Sequence, residues 1–120
     1  MIRPMEATDL TNLEIDTFGK TIRGHVAEID GRPIAATGVI HTDPNYAFAF
    51  MTDEMRKYPR EIVRVIRGFS EFLQQYYEVV YAIADIEENN APAVLRRAGF
   101  EYYQTTDQGD VYRWLKPQSH

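Results

Sequence analysis

Between residues 59 and 77 the apolar positions Ile62, Ile66, Phe69, Leu73 and Tyr76 recur at steps of four, three, four and three. That is the spacing of one face of an α-helix, and Pro59 falls in its first turn, where a missing N–H is tolerated. Before this helix the period shortens to two. In "GHVAEIDGRPIAATGVIHTD" Val26, Glu28 and Asp30 alternate with Ala27 and Ile29, Asp30–Gly31 supplies a tight turn, and a second arm runs from Pro33 to about His41. "TDPN" closes that arm, and "YAFAFMT" follows as a third, aromatic-rich strand. After the helix, "EVVYAIADI" is a near-continuous apolar run of the kind buried on both faces of a sheet.

The remaining segments complete the pattern. "NNAPAVLRRA" predicts a short helix with Asn89 or Asn90 at its N-cap and Gly99 as the left-handed residue that ends it. "FEYYQTT", the turn "DQGD" and "VYRWLK" predict a closing hairpin. At the other end, "MIRP" is a short apolar start, and "EATDLTNLEIDTF" places Leu10, Leu13 and Phe18 at roughly helical spacing, with Thr8 or Asp9 as cap. The predicted order is β-α-β-β-β-α-β-α-β-β, without repeat, linker or low-complexity segment. At 120 residues the chain has room for one core, so residues 1–120 form a single α/β domain with a mixed, mostly antiparallel, twisted sheet flanked by helices.

This order, together with Ala91, Leu95, Gly99 and Phe100 in an Ala…Leu-x-x-x-Gly-Phe corner, resembles the Gcn5-related N-acetyltransferase (GNAT) superfamily. The opening "IRPMEATDL" also looks like that family's first strand and helix. The resemblance spans nearly the whole chain, with the region between Phe18 and Gly24 shortened. It implies a GNAT-like fold in which the two central parallel strands splay apart to form a cleft for acetyl-CoA. The long helix and the Gly-Phe helix would cover the faces of the sheet, and Phe100 would drop into the core. It further implies transfer of an acetyl group from acetyl-CoA to an amine. A backbone N–H within Phe50, Met51 and Thr52 would bind the thioester carbonyl, and Arg56, Lys57, Arg60 and Asn90 would stand near the cofactor.

The sequence departs from the family where phosphate is held. Members carry a Gln/Arg-x-x-Gly-x-Gly/Ala loop at the start of the long helix, so that backbone N–H groups meet the pyrophosphate. The aligned stretch is "RKYPRE": Arg56 fits, but Pro59 replaces the first glycine and Glu61 the second small residue. Proline has no N–H to give, and Glu61 sets an anion beside an anion. Counting back from Gly99–Phe100, Glu88 stands at the family's Asn and Leu95 at the Tyr that protonates the departing thiolate. Against these losses, Arg56, Lys57, Arg60, Arg64 and Arg67 crowd five cations into residues 56–67 of a chain whose net charge is −5. Arg60, Arg64 and Arg67 share one helix face. That face reads either as a solvated surface or as an anion site built from side chains.

Proton-transfer candidates are few. An amine acceptor needs a base, and the strand ends offer His41, Asp53, Glu54 and Asp85; His41 has the appropriate titration range. Tyr102 and Tyr103 read as strand aromatics turned into the core, with Tyr103 the candidate to replace the missing tyrosine acid. The chain has no cysteine, which excludes disulfides, thiolate metal sites and a Cys nucleophile, and its three histidines show no ligand spacing. A hydrophobic fraction of 44% and a charged fraction of 26% describe a soluble globular protein without signal peptide or membrane span, expected in the cytoplasm. The net negative charge argues against nucleic-acid binding by the whole surface, which leaves a nucleic-acid binder acting through the basic stretch as a third reading behind the two below, and no membrane partner is expected.

Two functions of different class follow. One is an acetyl-CoA-dependent N-acetyltransferase with a divergent cofactor loop and an unidentified amine acceptor. The other is a non-catalytic relative that keeps the fold for binding or assembly, with protein partners or further copies of itself. In its short chain and basic stretch the sequence also resembles small phage-encoded acetyltransferase-like proteins used in building virions, which would package it in a particle.

Overall fold

The computed structural model describes residues 2–12, 19–84 and 91–117. Its elements are β1 (Ile2–Pro4), α1 (Ala7–Asn12), β2 (Ile22–Ile29), β3 (Arg32–Ile40), β4 (Tyr46–Met51), α2 (Pro59–Tyr76), β5 (Val79–Ala84), α3 (Ala91–Arg97), β6 (Glu101–Thr106) and β7 (Gly109–Leu115), with a 3₁₀ turn over Asp53–Lys57. The order matches the expectation from the sequence. Leu13, Phe18, Asp85, Glu88, Asn89 and Asn90 lie outside the described residues, so the helix cap at Asn89 or Asn90 and the site roles expected of Asp85 and Asn90 do too.

The seven strands form one mixed sheet in the order β1-β2-β3-β4-β5-β7-β6. Every neighbouring pair is antiparallel except β4–β5. Asp30 and Gly31, at φ 51° and 76°, make the two-residue loop that pairs Ile29 with Arg32 across the β2–β3 hairpin.

The core follows from the stripe on α2. Ile66, Phe69 and Leu73 pack with Val80 and Ala82 of β5, Leu95 of α3, Ala98 just after it, and Tyr112 and Trp114 of β7. Val65 and Phe72 are buried as well, whereas Tyr76, read as the last core position, is exposed and carries the Arg23 guanidinium 4.4 Å over its ring. α2 and α3 therefore share one face of the sheet, a correction to the expectation that they cover both. The correction explains β5: Val80, Ala82 and Ala84 are buried, while Val79 and Ile83, on the face without these helices, are 39% and 38% exposed. The run read as buried on both faces is buried on one. β6 is the sheet edge, so Tyr102 and Tyr103 are exposed instead of core residues.

The α3–β6 corner is a Schellman motif. The Phe100 N–H donates to the Leu95 carbonyl at 2.9 Å and the Gly99 N–H to the Arg96 carbonyl at 3.1 Å. Gly99 has φ 103°, and a Cβ there would meet the Trp114 indole at 3.1 Å, so both conformation and space demand glycine. Phe100 is buried and stacks on Phe69 with centroids 6.2 Å apart. At the opposite end Asp9 caps differently from expectation. It sits inside α1, and its carboxylate accepts the Glu6 N–H at 2.7 Å and both arms of the Arg3 guanidinium at 2.7 Å. Arg3 thereby ties β1 to α1, and it also bonds Glu28 of β2 at 3.2 Å. Among the described residues no helix is long and apolar enough to cross a membrane.

Candidate functional site

β4 and β5 share a single paired position, Tyr46 with Tyr81, where the Tyr81 N–H donates to the Asn45 carbonyl at 3.0 Å. Beyond it the strands part toward their C-terminal ends, and a cleft of about 460 Å³ opens between them. Small side chains keep it open: Ala47 and Ala49 on β4, Ala82 on β5 and Ala93 on α3.

The backbone orientation of the β4 wall follows from its other neighbour. The Thr52 N–H donates to the Ile34 carbonyl at 2.9 Å, and its hydroxyl bonds the same oxygen at 3.0 Å. In an antiparallel pair the bonded residues alternate, so Phe50, paired with Ala36, also turns its amide to β3. Ala49 and Met51 then point their N–H and C=O groups the other way, into the splay, where β5 has withdrawn. Of the three residues expected to offer a carbonyl-binding N–H, Met51 is the one whose amide faces the cleft. Phe50 does not line it, and the Thr52 amide is already used.

Charge gathers at the mouth. Arg56 lines the cleft from the 3₁₀ turn, and Arg97 lines it from the last turn of α3. Neither has an ion-pair partner among the described residues. Arg97 also borders a neighbouring depression with Arg67 and Ser70. Sequence reasoning missed Arg97. Its signal was the three-residue step from Val94, which faces the same cleft. Lys57 and Arg60 are exposed near the helix start but do not line the cleft. Arg64 is committed to Glu61 at 3.0 Å, which covers the unfavourable carboxylate.

The α2 N-terminus offers little backbone. Pro59 has no N–H, and the Glu61 and Ile62 amides both return to the Tyr58 carbonyl, at 3.0 and 3.1 Å. Side chains, more than the helix end, are what this cleft presents to an anion.

The proton-transfer candidates separate. Asp53 lines the cleft with no ion-pair partner among the described residues, whereas Glu54 is bonded to Arg32 at 2.7 Å. His41 lies at the opposite end of the sheet, after β3 and against the C-terminus of α2, where Nε2 shares a 2.6 Å hydrogen bond with the Tyr77 hydroxyl. Burial raises the pKa of that phenol, with Arg23 opposing. Tyr103 is on the sheet face away from α2 and α3, its ring against Tyr81 and under Arg113. The structure thus brings neither His41 nor Tyr103 to the cleft. Leu95, at the position of the family's tyrosine acid, is buried in the core. Among the described residues no cluster of His, Asp and Glu could hold a metal.

No protein-family model matches the chain, and no curated protein matches it in sequence. Solved structures match its fold. The ribosomal-protein-S18-alanine N-acetyltransferase from Escherichia coli superposes with TM-score 0.71 at 13% identity, covering 100% of this chain and 96% of that one. AAC(6')-Ib in complex with paromomycin and acetyl-CoA gives 0.67 at 13%, covering 97% and 93%. A variant of spermidine N-acetyltransferase from Vibrio cholerae gives 0.64 at 14%, covering 97% and 95%. The chain has the fold of the GNAT N-acetyltransferases over its length.

Proposed function

We propose that this protein binds acetyl-CoA in the β4–β5 cleft and transfers the acetyl group to an amine, with side-chain cations replacing the family's glycine loop. One observation carries the reading: an open cleft into which the Met51 amide points, with Arg56 and Arg97 at its mouth and without an ion-pair partner among the described residues. The acetyl-CoA complex of the neighbour AAC(6')-Ib supports it at the level of fold. The residues fit such a ligand in part. The unpaired β4 edge suits a narrow polar chain, and guanidinium groups bind phosphate bidentately.

Acetyl-CoA would supply an acyl thioester, whose carbon exchanges its bond to sulfur for a bond to nitrogen. The Met51 N–H is placed to stabilise negative charge on the acyl oxygen as it develops. Among the described residues lining the cleft, Asp53 has the carboxylate that can accept the proton lost by the amine. Leu95 gives no proton to the departing thiolate, so that proton comes from water.

Leu95 and Pro59 favour a second reading, in which the fold is kept for binding or assembly without turnover. Partners would then be other proteins or further copies of the chain, and a place in a phage virion rests on the sequence resemblance alone. Thiol release from acetyl-CoA, measured across a panel of primary amines, separates the two. Release that is lost in Asp53→Asn supports transfer. Acetyl-CoA binding without release from any amine supports the second reading.

A further inference from the structure

A second pocket of about 460 Å³ opens on the sheet face away from α2 and α3. It touches the cleft through Ile83, which lines both. Its walls are three tyrosines from three strands. Tyr46 and Tyr81 have centroids 6.2 Å apart at 46°, and Tyr81 and Tyr103 have centroids 5.7 Å apart at 67°. Rings inclined in this way leave π faces that do not cover one another. Asp107, in the β6–β7 turn, is the one charged residue lining the pocket among the described residues.

One of these rings, Tyr103, already carries a cation on one of its faces, and that cation adds positive charge beside the pocket. The Arg113 guanidinium lies 4.5 Å from the Tyr103 centroid. The Asp107 carboxylate offsets the Arg113 charge, and the faces of Tyr46 and Tyr81 carry no cation among the described residues. Gln104, Thr106 and Gln108 also line the pocket and offer acceptors, so what the rings add is affinity for a charge that brings no N–H donors, as an alkylated ammonium does.

We infer that Tyr46, Tyr81, Tyr103 and Asp107 form a binding site for an alkylated ammonium head group. The site stands on its own geometry and does not require that the neighbouring cleft bind acetyl-CoA or turn over. Its position beside Ile83 would set a bound cation next to the cleft on the side away from α2 and α3.

The test is a titration of the intact protein with choline and with its neutral isostere 3,3-dimethylbutan-1-ol, followed by tyrosine ring NMR shifts at constant ionic strength. Choline should produce saturable shifts of Tyr81 and Tyr103 and bind at least about fivefold more tightly than the alcohol. Asp107→Asn should weaken choline and not the alcohol. Tyr81→Leu should weaken choline about fivefold while Tyr81→Phe retains it. Tyr102→Leu, whose ring packs on Tyr112 on the other face, should leave it unchanged. Equal affinity for the two ligands, or no saturable shift with millimolar choline, overturns the inference, and the wild-type comparison decides this even if a variant misfolds.

Discussion

The Thr52 amide donates to the Ile34 carbonyl at 2.9 Å, and that one bond sets the direction of the Met51 amide. Because bonded and non-bonded residues alternate along an antiparallel pair, Met51 must turn toward β5. β5 has already diverged, so the amide faces open space. The cleft is thus a consequence of sheet register, and its polar edge needs no special side chain.

Closing the cleft from the strand should remove ligand binding and spare the fold. Ala49 lines the cleft and is exposed. Ala49→Trp should abolish acetyl-CoA binding in a calorimetric titration while moving Tm by only a few degrees.

The glycine of the corner is a stability element. Gly99→Ala places a methyl at positive φ and 3.1 Å from the Trp114 indole. A loss of about 1–3 kcal/mol is expected in denaturant unfolding. A neutral outcome would mean that the corner relaxes.

Acid stability should depend on Asp9. The Arg3 guanidinium holds its carboxyl below the ordinary carboxylate value, with burial opposing and the Glu6 N–H assisting. A depressed pKa contributes stability above the unfolded value of about 4, and that stability is lost as pH falls through the folded value. Asp9→Asn should cost about 1.5–3 kcal/mol at neutral pH and flatten the acid limb of a Tm-versus-pH curve.

His25 should act over a higher window. Burial against Phe72, and secondarily the Arg23 charge, lowers its pKa. The fold therefore prefers the neutral ring, so stability is full above about pH 6.5 and falls as pH drops from there toward the folded value. His25→Gln should lessen the fall in Tm between about pH 7 and pH 5 relative to wild type.

Much of the fold was legible because its devices are local. The 4-3-4-3 stripe of α2, the Asp30–Gly31 turn and the Gly99 stop each follow from a few neighbouring residues. What the sequence hid was long-range. Nothing in "EVVYAIADI" says that α2 and α3 both pack on one face of β5, and nothing in "EYYQ" says that β6 is an edge. The site divides in the same way. Arg56 and Met51 were reachable from the resemblance and the strand. His41 was misplaced because a strand end in sequence does not say which end of the sheet it occupies. Arg97 emerged once α3 was seen against β5.

On the proposed function, side-chain cations at the mouth of the β4–β5 cleft hold a phosphate-bearing acyl carrier. Calorimetric titration with acetyl-CoA at moderate salt, on wild type and on Arg56→Glu and Arg97→Glu, tests it most directly. Wild type should bind saturably, and either reversal should weaken binding about tenfold or more, since each exchanges a charge-assisted bond for repulsion. No heat with wild type at millimolar acetyl-CoA, or equal affinity in all three proteins, would contradict it.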